Sequence, residues 1–128
     1  MEPNDENNNG LEKPIADDDE YIELAQRILI PLDKAINKIH LQLTIRDVYF
    51  AIADARERLI QFVGLPNKEK VKDLMPILLQ KNNLLNKLTK LPQKATFNDA
   101  LTAKVIEPII RWRKTINNVI MHLSGHEE

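Results

Sequence analysis

Three histidines and one cationic run are the side chains of this chain whose types could do chemistry. His122 and His126 are four apart, the spacing that puts two imidazoles on one helical face and lets them share a divalent metal. Ser124 and Gly125 stand between them, which argues for a helix end, and no third ligand stands at a useful spacing. His40 falls where a helix closes, and a cation there complements the helix dipole. Arg111-Trp112-Arg113-Lys114 has the composition to grip a phosphate backbone and stack on a base, or to set an arginine beside His122 for ribonuclease-like chemistry. Trp112, however, keeps helical step with Ile109 and Ile116, which places it in a core with its basic neighbours on the flanks. Asp17 to Glu20 have no enclosing loop for a hard cation, the serines and threonines have no partner base, and no glycine-rich phosphate loop is present. The expectation is a non-enzymatic protein with no catalytic residue, cofactor or metal.

The elements that must position these residues follow from composition and periodicity. At 128 residues the chain is one domain's length, enough to bury a core without covalent staples. It has no cysteine, which excludes disulfides and thiolate metal sites and fits a reducing compartment. No apolar run approaches the roughly 18 residues of a membrane span, and the acidic N-terminal stretch has no apolar block for a signal or transit peptide. A soluble intracellular protein is expected, with no membrane partner. The net charge of -1 conceals an asymmetry. Residues 1–20 set eight acids against Lys13 alone, while residues 65–114 carry eleven Lys or Arg, Lys81 among them, against Glu69, Asp73, Asp99 and Glu107.

Residues 1–17 offer almost nothing to bury and are expected to be disordered, either as a solubilising tail or as an acidic arm lying over the basic half. Beyond them apolar residues recur in steps of four and three. Tyr21, Ala25, Ile28, Leu32, Ala35 and Ile39 mark a first helix over about 19–41, with a kink or break expected near Leu29 because Pro31 lies inside it. Thr44 and Asp47 make a capping box that opens a second helix over 45–63. Val48, Ile52, Ala55, Leu59 and Phe62 form its buried face, and Gly64, as a left-handed terminus, and Pro66 close it. Asn67 caps a third stretch carrying Val71, Leu74, Leu78, Leu85 and Leu88, which is one helix or two according to whether Pro76 or Asn82-Asn83 breaks it. Thr96 or Asn98 caps the last, with Leu101, Val105, Ile109, Trp112, Ile116, Val119 and Leu123 on its face, Pro108 inside and Gly125 at its end. The expected fold is all-α: a compact bundle of four to five helices over residues 18–124, several kinked or broken at prolines, followed by a short disordered end at 125–128.

The sequence from Leu84, a helix ending LLNKLTKL, a short linker with Phe97 and then ALTAKVIEPIIRWRKTINNV, resembles the closing half of the helical domain shared by the amino-terminal region of transcription elongation factor IIS and its relatives. Among those is the integrase-binding domain of lens-epithelium-derived growth factor. Leu43, Asp47 and Val48 fit the entry to that domain's second helix, and the likeness covers about residues 35–120 with an insertion around 62–75. The resemblance implies a docking module that binds short hydrophobic motifs with acidic flanks in a groove between two loops, in transcription or chromatin and so in the nucleus. The contact positions of the integrase-binding member fall on Leu43 and Thr44 in one loop and on Ala95 and Phe97 in the other. Leu43 keeps the apolar contact and Phe97 stands in place of a valine. Thr44 replaces a carboxylate and Ala95 a large aromatic, departures that remove a charged acceptor for a partner's backbone N–H groups and an aromatic contact.

Without the resemblance, Phe97 stands in a polar linker. It serves there either as a hydrophobic staple on the helix start or, with Leu43, as an apolar spot ringed by Lys90, Lys94 and Lys104 for an acidic-hydrophobic peptide. The leading expectation is an adaptor that binds a protein or peptide partner. The basic stretch 68–114 supports a second reading, electrostatic nucleic-acid binding with the acidic tail as competitor. The apolar face of Ile106, Ile109, Ile110 and Ile120 supports a third, burial in an oligomer.

Overall fold

The computed structural model describes residues 18–125. The disorder expected of residues 1–17 and of the last residues, His126 included, therefore concerns positions outside the described residues, apart from Gly125. In chain order the elements are α1 Asp18–His40, α2 Ile45–Val63, the single-turn α3 Lys68–Val71, a 3-10 turn at Lys72–Leu74, α4 Met75–Thr89 and α5 Asp99–Leu123. The fold is the all-α bundle that the periodicity implies.

Each long helix begins for a local reason. Asp18, Asp19 and Glu20 place negative charge at the positive end of α1. The Thr44 hydroxyl oxygen accepts the Asp47 amide at 3.2 Å, which caps α2, and the hydroxyl donates to the Asp47 carboxylate at 2.9 Å, so the shorter acid holds the capping side chain rather than the backbone N–H that a full capping box would engage. Pro76 sits in the first turn of α4, where its fixed φ and missing N–H cost nothing, and α4 then runs through Asn82-Asn83 uninterrupted. The break in the third apolar stretch thus falls at the proline. Asn98, rather than Thr96, caps α5 by accepting the Leu101 amide at 2.8 Å.

Of the kink or break expected near Leu29, the break is excluded, since α1 continues through Pro31: the proline deprives the Arg27 carbonyl of its intrahelical donor, and Arg58 of α2 supplies a replacement, Nη1 to O at 3.0 Å. One expectation is corrected outright. Gly64 is right-handed, with φ -79. The left-handed turn falls instead on Gln42, φ 57, where the chain leaves α1. There the Leu43 amide donates to the Lys38 carbonyl at 2.9 Å and the Gln42 amide to that of Ile39 at 3.0 Å, the Schellman closure that usually employs glycine.

The apolar stripes of α1 and α2 are wholly buried from Tyr21 to Ile39 and from Val48 to Phe62. α1 packs on α2 and α5, and α2 on α4, whereas the backbones of α4 and α5 barely approach each other. Ile109 and Ile120 belong to this core and Ile106 is half-buried, which leaves Ile110 as the exposed member of that face. The broad apolar surface expected to drive oligomerisation is therefore not on the outside. At one end of the bundle the loops before α2 and α5 meet: the Ile45 amide donates to the Ala95 carbonyl at 2.9 Å and that of Arg46 to Gln93 at 3.1 Å, beside an antiparallel bridge between Thr44 and Thr96.

Candidate docking groove

Because α4 and α5 diverge, side chains bridge the seam between them. Trp112 reaches across from α5, its indole N–H donating to Gln80 Oε1 of α4 at 2.8 Å. Beside this strut lies an open groove of about 550 Å³. Leu84 and Leu88 of α4, with Leu91 just beyond its end, line it from one side, and Leu101, Val105 and Pro108, at steps of four and three along α5, from the other. Lys87 and Lys90 stand on one lip, Lys104 and Arg111 on the other, and no carboxylate is part of the lining. Glu107 lies 3.8 Å from the Arg111 guanidinium and tempers that corner. An apolar floor between cationic lips suits a segment whose aliphatic side chains are flanked by acids.

Of the residues singled out from the sequence, Lys90 and Lys104 line this groove. Lys94 is exposed on the loop before α5. Phe97 is only 2 % exposed and belongs to the hydrophobic core, which removes it from any surface spot shared with the exposed Leu43. Thr44 and Ala95 are occupied in the loop closure, one as helix cap and one as carbonyl acceptor. The two loops do meet, but through backbone hydrogen bonds, so the edges that a docked peptide would pair with are already used. Of the other groove residues, Leu88, Leu101 and Val105 were expected only in the core and Pro108 only as a helix defect, and Gln80 carried no expectation. A signal for them existed: α4 and α5 carry leucines beyond one narrow core stripe, with lysines flanking them at helical spacing.

Lys81 is the second correction at this seam. Counted with the basic surface, it is in fact fully buried, and its Nζ has no hydrogen-bond acceptor. The ammonium lies 5.8 Å from the centroid of the Trp112 ring, the one favourable electrostatic contact it makes among the described residues. Burial pulls its pKa down to about 7. Lys81 fills the place that the third stripe leaves empty, three residues after Leu78 and four before Leu85.

The remaining cations are divided as well. Lys70 pairs with Asp18 and Lys72 with Glu69, near the C-terminal end of α5. That end borders a separate polar cleft of about 710 Å³, whose walls include Asp18, Asp73, Thr115, Asn118 and His122. Residues 68–114 therefore present no single basic stripe. Among the described residues, no group of three His, Cys, Asp or Glu could hold a metal ion, and no helix is long and apolar enough to cross a membrane. No family model, curated protein or solved structure matches the chain.

Proposed function

We propose that the chain is a helical docking module, without a reaction of its own, that binds a short acidic-hydrophobic segment of a protein partner in the α4–α5 groove. The observation that supports this reading is the groove lining, aliphatic on its floor and cationic on both lips. Aliphatic side chains of the partner enter between Leu88 and Leu101, and flanking carboxylates meet Lys90 and Lys104. Each exposed ion pair contributes little to affinity, and together they set register and speed of encounter. Lys94 adds to the attracting field from the neighbouring loop. The transcriptional or chromatin setting implied by the resemblance to elongation factor IIS domains belongs to the same reading, with the contact surface moved from the loops to the seam.

A fluorescein-labelled peptide with two leucines four residues apart and glutamates on either side tests it. Anisotropy is expected to report binding to the unsubstituted chain and a loss of about tenfold for Lys90→Glu/Lys104→Glu, with the melting temperature unchanged. Equal binding by both proteins sinks the proposal. Preferential capture of a random single-stranded oligonucleotide, falling steeply with added salt, would instead favour the nucleic-acid reading.

A further inference from the structure

The face of α5 that lines the groove does not end there. Lys104, Pro108 and Arg111 line the groove, and Thr115, Asn118 and His122 line the polar cleft. Successive steps of four and three place all of them on one stripe of the helix, so groove and cleft lie end to end along a single face. Asp18, the first residue of α1, forms part of the cleft wall and is paired there with Lys70. The chain preceding Asp18 is thus attached at the cleft, on the same face of α5 as the groove.

The distance along α5 from the middle of the cleft to the middle of the groove is about 20 Å at 1.5 Å per residue. Seventeen residues span at most about 56–61 Å when extended, so the segment before Asp18 is long enough to cover that distance. Its chemistry suits the groove. Leu11 stands beside Glu12 and downstream of Glu2, Asp5 and Glu6, with Lys13 as the base of the segment. An extended chain carries Leu11 about 23 Å from Asp18, far enough to reach the leucines of the floor.

We infer that residues 1–17 of this chain occupy the α4–α5 groove, Leu11 on the apolar floor and the neighbouring carboxylates against Lys87, Lys90, Lys104 and Arg111, so that an outside partner binds by displacing them. This rests on the docking reading above and names the regulation of that same site. Tethering supplies an effective concentration on the order of millimolar, so a contact too weak to survive between separate molecules still competes in cis. Exposed ion pairs of this kind are screened over about 10 Å at 0.1 M salt, which makes the closure salt-sensitive.

The chain has no cysteine, so Asn7→Cys in the full-length protein gives a single attachment point for a nitroxide spin label. The label is expected to broaden the methyl resonances of Leu101 and Val105, to leave those of Ile52 and Leu59 sharp, and to release the groove at high salt. A mixture of labelled chain with isotopically enriched unlabelled chain is expected to show no such effect. In a companion variant, Glu2→Gln/Asp5→Asn/Glu6→Gln/Glu12→Gln with Leu11→Ala, the full-length protein should bind the fluorescein peptide about three- to tenfold more tightly. Absence of broadening at the groove, or equal broadening over the whole surface, overturns the inference. Broadening seen only in the mixture overturns it in favour of a second copy. A neutralised variant that gains affinity for an oligonucleotide but not for the peptide overturns it in favour of nucleic acid. If the unsubstituted chain captures the peptide and neutralisation changes nothing, this inference falls and the docking reading stands. Label contact at a groove that captures no peptide gives the reverse result.

Discussion

α1 and α2 close upon each other along their apolar faces, whereas α4 and α5 share a seam that stays open. In the closed pair the stranded polar groups have found partners: Arg58 serves the Arg27 carbonyl, and the Tyr21 hydroxyl accepts the Asn67 amide at 2.8 Å. In the open pair Lys81 is buried with no acceptor, and Leu84 and Leu88 belong to core and groove at once. Leucines and lysines at similar helical spacing thus build a closed scaffold where helices converge and an open, cation-rimmed groove where they do not. Stability should accordingly reside in the first pair, and chemical sensitivity in the second.

Truncation of Phe62, buried edge-on to Tyr21 at 5.9 Å between ring centroids, is the harshest test of this contrast. Phe62→Ala should lose about 3–5 kcal/mol in denaturant unfolding. Leu101→Ala, half-buried at the groove, should lose about 1 kcal/mol or less. Comparable losses at the two sites would erase the distinction between closed scaffold and open groove.

Lys81→Met should do the opposite and raise stability at pH 7 by about 1–4 kcal/mol, because an unpaired buried cation is exchanged for an apolar side chain of similar length. The pH dependence sharpens the test. The folded-state pKa of Lys81 is about 7, and its unfolded value is near the ordinary lysine range of roughly 10.4. Between these values the unfolded chain binds more protons, so the Lys81 contribution to stability rises as pH rises from 7 toward 10. Below about 7 both states are protonated and its full cost remains. Urea titrations across that window should show the parent protein approaching the Lys81→Met variant at high pH. A constant gap between the two would mean that the amine is not titrating inside the fold. Gln42→Gly gives the smallest expected change, a gain of about 0.5–1 kcal/mol, since glycine accepts φ 57 without a Cβ clash. A loss in the thermal melt would show that the glutamine side chain contributes something its backbone strain does not cancel.

The contrast between the two pairs also explains what could be read from the sequence. The stripes of α1 and α2, the Thr44–Asp47 cap and the extent of α2 are local consequences of spacing, and the structure reproduces them. Asn98 as the cap of α5 was one of two local candidates. The groove is a property of two helices failing to meet, and no periodicity within one helix contains that information. Lys81 was legible in principle, as the missing step between Leu78 and Leu85, yet its charge argued for a place in solvent. Phe97 misled for the converse reason: a polar neighbourhood in sequence became a buried one when its loop closed on Thr44. The continuity of α1 through Pro31 is accompanied by a bond from Arg58, a residue far from Pro31 along the chain, and such a contact lies beyond local rules.

That last contact makes the integrity of α1 depend on α2. A peptide spanning α1 alone would carry the Pro31 defect with its Arg27 carbonyl open to water, and short helices are marginal even without such a defect. The side chain that repairs it belongs to α2, which follows after a short turn and can close on α1 rapidly. The α1–α2 hairpin, rather than α1 alone, is therefore the smallest unit in which the Arg27 carbonyl keeps a protein partner.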